Sequence, residues 1–169
     1  MLINLTQNRN FKLFKTLSEV AENNNQTIYI VGGYVRDLLM KRKVPTDIDF
    51  VTEGSGIDLA RAAAKEINPK LSVSVFKNYG TAMFKHEGLD LEFVGARKES
   101  YAENSRKPSV EIGTLEDDQK RRDCTINALA ISLNKSNFGE LIDPFDGVLD
   151  IEKKIIRTPL EPSQTFSDD

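Results

Sequence analysis

Apolar positions along the chain change period several times, and each change marks an element. From residue 9 to residue 24, Phe11, Phe14, Leu17, Val20 and Ala21 recur at spacings of three and four, the period of an amphipathic helix. Asn23-Asn24-Asn25 closes it. Ile28 to Val31 is a short continuous apolar run, the form of a buried strand. The glycine pair Gly32-Gly33 follows, then a short helix carrying Arg36 and Asp37, then a basic linker, Lys41-Arg42-Lys43. In the next strand Ile48 and Phe50 point one way and Asp47 and Asp49 the other, because successive side chains project from opposite faces. Helical spacing returns over Ile57 to Ile67 through Leu59, Ala60, Ala63 and Ala64, and Asn68-Pro69 breaks it. Leu71 to Phe76, Thr81 to Lys85 and Leu89 to Val94 read as three strands joined by turns at Asn78-Tyr79-Gly80 and Glu87-Gly88.

The text then changes character. Residues 96–113 are polar and aperiodic and contain Pro108, which reads as a loop. Thr114 followed by Glu116, Asp117 and Asp118 has the form of a capped helix start with acidic residues in its first turn. It leads into Lys120-Arg121-Arg122-Asp123 and an apolar run from Ala128 to Leu133. Asp143 to Gly147 is a turn, Val148 to Lys154 a short helix, and Ile155-Ile156-Arg157 is strand-like. These elements predict a mixed, partly antiparallel sheet of about five strands with helices on one face, an α/β (α+β) fold.

Length and composition narrow the class. A chain of 169 residues accommodates one domain with a proper core, or a domain and the start of another. The single cysteine, Cys124, excludes an intrachain disulfide, favours a reducing compartment and reads as a small buried residue. No apolar run approaches the roughly 20 residues of a membrane span, and the first residues lack the apolar core of a secretory signal. A cytoplasmic protein is the expectation. The net charge of −3 argues against a surface that is basic throughout, although Lys41 to Lys43, Arg97-Lys98, Arg106-Lys107 and Lys120 to Arg122 form local basic clusters.

The chemistry concentrates around the first strand–helix–strand unit. Asp47 and Asp49, two residues apart on one strand, share a face and offer oxygen donors to a divalent cation. Gly32 and Gly33 allow close approach of backbone to a ligand, and backbone N–H groups with Arg36 beside them suit a phosphate. Together these point to metal-dependent phosphoryl or nucleotidyl transfer. On the strand from Leu89 to Val94, Asp90 and Glu92 alternate away from the core, so either could complete the acidic pair. Arg122 and Asp123 fit a phosphate and a ribose hydroxyl, and equally well a structural ion pair between two helices. His86, the only histidine, stands between lysine and glutamate at a strand end and reads as structural.

Gly32-Gly33-Tyr34-Val35-Arg36-Asp37, then Asp47-Ile48-Asp49, then Arg121-Arg122-Asp123-Cys124-Thr125-Ile126-Asn127-Ala128 resemble the signature of the bacterial-type (class II) tRNA nucleotidyltransferase and poly(A) polymerase family. The resemblance runs from about residue 26 to the last residue, with one departure, Cys124 where the family commonly has Phe. It implies a polymerase β-like nucleotidyltransferase head over residues 1–134 and the truncated start of a helical neck over 135–169. It selects Glu92 as third carboxylate, since a family carboxylate stands five residues before an arginine and Glu92 precedes Arg97 at that spacing. Asp47, Asp49 and Glu92 would then be the catalytic and metal residues, holding two magnesium ions. Gly32, Gly33, Arg36, Arg97, Arg122, Asp123 and Asn127 would bind the nucleotide. The implied reaction is CCA addition to a tRNA 3′ end from CTP and ATP with release of pyrophosphate. Poly(A) synthesis is the alternative within the enzyme class, and a non-catalytic nucleotide- or RNA-binding head the alternative outside it. The resemblance also implies that Phe166 to Asp169 begins a helix leading to base-reading and tRNA-holding segments, so that this chain would be a fragment.

Overall fold

A computed structural model describes residues 1–100 and 109–166, without the side chains of residues 99, 100, 109 and 110. Its centre is a seven-stranded sheet, ordered β3 (Ser74–Phe76), β4 (Thr81–His86), β5 (Leu89–Gly95), β2 (Asp47–Thr52), β1 (Tyr29–Val31), β8 (Ala130–Ser132) and β9 (Leu141–Ile142). Every neighbouring pair is antiparallel except β2 and β5, which run parallel. That one parallel pair needs a long crossover, and the chain supplies it through α3 (Gly56–Ile67) and the antiparallel β3–β4 pair.

One face of the sheet is the main core. Ile30, Ile48, Phe50, Leu91, Phe93 and Ile131 pack there with Phe14 and Leu17 of α1 (Phe11–Asn23), with Leu59, Ala60 and Ala63 of α3, and with Tyr34 and Val35 of α2 (Gly33–Leu39). Phe93 stacks between Phe50 and Phe84, with centroids 5.0 and 5.5 Å apart, and Phe14 meets Phe50 edge-on. The start of α3 lies so close to β5 that a Cβ on Gly56 would sit 2.7 Å from the Gly95 nitrogen. Glycine is the residue that permits this contact. Ser55 caps the same helix by accepting from the Asp58 N–H. The opposite face carries a smaller cluster of Val31, Val51, Ala96 and Ala130, covered by Leu115 of α4 (Leu115–Lys120).

The expected helices, turns and first strands are present, and the differences are instructive. The sheet has seven strands where about five were expected. The two additional ones, β8 and β9, come from short runs after Asn127, and the expected division at residue 134 falls between these two strands of one sheet. The stretch read as a loop begins and ends in a two-stranded ribbon, β6 (Arg97–Ser100) with β7 (Ser109–Ile112). Its centre, 101–108, which includes Arg106-Lys107, lies outside the described residues, as do 167–169 of the expected terminal helix. Of Leu71 to Phe76 only Ser74–Phe76 is strand, and Ile155 to Arg157 forms none. Cys124 is half-buried rather than buried, with burial pushing its thiol up.

The last elements, α5 (Gly147–Lys153) and α6 (Pro162–Thr165), follow the sheet. Asp150 on α5 accepts from Thr125 Oγ1 at 2.6 Å and from Arg157 Nε and Nη2 at 3.1 and 3.0 Å, while the Thr125 N–H donates to the Arg157 carbonyl at 2.8 Å. This clamp fixes the tight turn Thr125–Asn127 against α5. Among the described residues no helix is long and apolar enough to cross a membrane.

Candidate active site

The acidic positions lie on the sheet face away from α1 and α3. Parallel register sets Asp47 beside Asp90 and Asp49 beside Glu92, so four carboxylates occupy adjacent places on two strands. They are not equivalent. Asp90 pairs with Lys85 at 2.8 Å, and the hydrogen bond from that ammonium holds its carboxyl below the usual range. Burial pushes the Asp49 carboxyl up, the Arg122 guanidinium draws it down, and Asp47 and Asp118 add to the rise. Glu92 is also pushed up, by burial first and by Asp49 second. Asp49 and Glu92 are therefore charges held at a cost, side by side. Among the described residues no three acidic, histidine or cysteine side chains close around one point, so the expected three-carboxylate seat is not formed in these rotamers. A guanidinium stands against it instead.

That guanidinium belongs to Arg122. It donates Nε and Nη2 to Asp118 Oδ2 at 3.1 and 2.9 Å, leaving Nη1 directed at the β1–α2 turn. Gly32 in that turn has φ 73° and ψ −141°, a conformation reserved for glycine, and a Cβ there would lie 3.2 Å from Arg122 Nη1 and 3.6 Å from Asp49 Oδ2. Gly32, Asp49 and Arg122 thus meet at one place. Asp118 can aim Arg122 because α4 is fixed at three points. Thr114 and Asp117 form a reciprocal capping box, Glu53 accepts from the Leu115 N–H at 2.8 Å, and buried Gln119 donates to the Ala128 carbonyl at 2.6 Å. The sequence places Asp118 in the first turn of a capped helix, but it assigns none of Asp118, Gln119 and Glu53 a part in the site. The spacing of Asp118 and Arg122, four apart on a helix, was the available signal for the first.

Arg36 is placed differently from a free phosphate donor. Its Nε donates to Asp37 at 2.9 Å and its Nη1 to Asn127 Oδ1 at 2.8 Å, and Asn127 Nδ2 donates on to Asp123 at 3.1 Å. The structure therefore brings Arg36, Asn127 and Asp123 together as one chain beside Gly33. Arg97 lies on the other flank, across β2 and β5, in a cleft of ≈ 300 Å³ lined by Tyr79, Thr81, Asp118, Arg121 and Arg122. His86 stands at the end of β4, 3.8 Å from Glu87, on none of these surfaces.

Residues 28–157 match the model of the Poly A polymerase head domain. The A-adding tRNA nucleotidyltransferase of Aquifex aeolicus is 45% identical over 140 residues, which are 83% of this chain and 16% of that protein. The CCA-adding enzyme of Bacillus pumilus is 38% identical over 143 residues, 83% of this chain and 33% of the relative. A solved tRNA nucleotidyltransferase, complexed with a primer tRNA and an incoming ATP analog, superimposes with a TM-score of 0.76 at 40% identity, over 90% of this chain and 41% of that one. This chain spans less than half the length of each of these proteins. A family model covering most of the chain and relatives at this identity leave one assignment: the chain belongs to the Poly A polymerase head-domain family.

Proposed function

We propose that the protein transfers nucleoside monophosphates from CTP and ATP to the 3′-hydroxyl of a tRNA, releasing pyrophosphate, with CCA addition as its product. The observation that carries this reading is the register that sets Asp49 beside Glu92, with Gly32 and Arg122 meeting Asp49 from above. The named activities of the Aquifex and Bacillus relatives and the primer tRNA and ATP analog of the solved neighbour support it.

Magnesium fits the donor set. Asp47, Asp49 and Glu92 offer oxygen alone, and a buried carboxyl pushed up by burial, as Asp49 is, gains most from a cation. In this reading these three hold two ions once substrate phosphates complete the shell. Bound there, magnesium would lower the pKa of the attacking hydroxyl and neutralise charge on the triphosphate. The chain's own residues do the rest. The turn at Gly32 and Gly33 admits phosphate oxygens to backbone N–H groups, Arg122 turns Nη1 towards them, and Asp123 and Asn127 meet the ribose. Arg36 acts through Asn127, holding it in place.

The complete translated protein, magnesium and a tRNA lacking its terminal CCA, given CTP and ATP separately and together, test the reading, with Asp47→Ala as control. Ordered addition of two C and one A, lost in the control, is the expected result. Addition of a single A only to a tRNA already ending in CC would favour the specificity named for the Aquifex relative, and repeated A from ATP alone a poly(A) enzyme. RNA binding with no extension in any mixture would leave a non-catalytic head.

A further inference from the structure

We infer that the cleft between the β3–β4 turn and α4 seats the 3′-terminal nucleotide of the acceptor RNA, with the Tyr79 ring as its stacking platform and Arg97 as its phosphate contact. The inference rests on the nucleotidyl-transfer reading and extends it past Asp118 and Arg122, which line the same cleft, to Tyr79, Thr81 and Arg97, which that reading leaves unused.

In displacement at phosphorus the attacking and departing oxygens lie roughly in line on opposite sides. The sheet has two flanks about β2. On the β1 side stand Gly32, Gly33, Arg36 and Asn127, the groups suited to triphosphate and sugar. The departing pyrophosphate therefore belongs to that side, and the attacking hydroxyl must arrive from the β5 and β4 side. The cleft lies there. Val94 in its wall follows Glu92 on the same face of β5, one same-face step away, or about 7 Å. A nucleotide whose sugar is at Glu92 reaches the cleft with its base and its 5′ phosphate.

The lining suits that occupant. Tyr79 is 67% exposed, although it lies in an ordered turn, Lys77–Tyr79, whose carbonyl accepts from Thr81 Oγ1 at 3.3 Å. An aromatic ring held out to solvent from a fixed turn is a platform for a flat base. Gly80, with φ 62°, has the Arg97 guanidinium close against it, and a Cβ there would lie 3.4 Å from Arg97 Nη2. That contact places the Arg97 guanidinium against the residue next to Tyr79, in the same cleft. Arg121 lines the same cleft. An aromatic face and arginines with no apolar pocket suit a single-stranded RNA end, where stacking and phosphate pairing carry the binding.

Transfer kinetics with the complete translated protein test this, using an acceptor-stem minihelix lacking its terminal CCA so that few contacts outside the head contribute. Tyr79→Ala is expected to raise the KM for the minihelix roughly fivefold to a hundredfold, the range of one base stacked on an aromatic ring, with the KM for CTP unchanged. Tyr79→Phe restores the wild-type value, because the ring and not the hydroxyl does the stacking. Arg97→Ala raises the same KM and lowers the salt dependence of minihelix binding measured without nucleotide. An unchanged minihelix KM in Tyr79→Ala overturns the assignment, as does a rise in the CTP KM instead, or a Phe variant as impaired as the Ala variant. If the wild-type protein transfers nothing but binds the minihelix in a Tyr79-dependent way, the transfer reading fails and the cleft remains an RNA-end site. Transfer that ignores Tyr79 gives the reverse.

Discussion

Removing the Asp150 carboxylate should loosen the nucleotide-binding turn and the C-terminal elements together. Asp150 is 3% exposed and serves two partners with different surroundings. Its bond from the buried Thr125 hydroxyl, at 2.6 Å, is charge-assisted and shielded, worth about 1.5–3 kcal/mol. The bonds from Arg157 come from a side chain 50% exposed, so water competes for the guanidinium and together they contribute only about 0.5–1 kcal/mol. Asp150→Ala should therefore lower stability by roughly 2–4 kcal/mol, and Asp150→Asn, which keeps the shape and one neutral bond, by about half of that. Arg157→Ala should cost less than 1 kcal/mol. Urea unfolding followed by circular dichroism measures all three, with an unchanged m-value showing that the denatured state is the same. The pH dependence carries a sign. Burial alone would raise the Asp150 carboxyl, but the bonds from Thr125 and Arg157 prevail and hold it below the usual range. Its contribution is therefore complete above the unfolded carboxylate value, about 3.9, and is lost as pH falls through the lower folded value. An Asp150→Ala variant within 0.5 kcal/mol of wild type, or an Arg157→Ala variant as damaged as Asp150→Ala, would refute the reasoning.

Three further outcomes follow from the acidic site. Gly32→Ala forces a side chain into a backbone region costing roughly 1–3 kcal/mol and presses on Arg122, so both urea midpoint and transfer rate should drop; a variant with native midpoint and rate would remove the demand for glycine. Asp118→Asn leaves the fold intact while Arg122 loses its charged anchor, and the KM for nucleotide should rise roughly tenfold, about 1.4 kcal/mol. If Arg122→Ala and the double variant are additive with it, Asp118 does not act through Arg122. Asp49→Asn should abolish transfer yet, in EDTA, raise the melting temperature. The folded carboxyl is raised, so its ionised form costs stability above that value; the gain is present at pH 8 and vanishes as pH falls through the folded value towards the unfolded one. A melting temperature lowered at pH 8 would contradict this.

Much of the fold was legible where period and punctuation agreed. Phe11 to Ala21, Leu59 to Ala64 and the alternation of Asp47 to Phe50 each express one period cleanly, and each element formed where expected. The strands β8 and β9 were illegible for a physical reason. Ala130–Ser132 is buried on both faces, so it shows no alternation, and its partner β1 lies a hundred residues away. The ribbon β6–β7 was masked by its polar residues, and it forms a sheet separate from the main one. In the site, the carboxylate strand and the glycine turn could be read locally. That Asp90 would be drawn off by Lys85, and that Arg36 would spend its donors on Asp37 and Asn127, depend on pairings across strands and turns that spacing does not encode.

The stack of Phe50, Phe93 and Phe84 acts as a ruler for the other side of the sheet. β2 and β5 are parallel, so no hairpin ties them, and their relative shift is set by what interlocks on the hidden face. Sliding either strand by one residue would bury carboxylates and expose phenylalanines. Sliding by two would keep the faces but part Glu92 from Asp49 and unstack the rings. Insertions and deletions should therefore be absorbed by the linker between Met40 and Thr46 and by the Glu87-Gly88 turn, while the lengths of β2 and β5 stay fixed across descendants of this chain. The spacing of two half-buried charges is kept by three rings on the hidden side of the sheet.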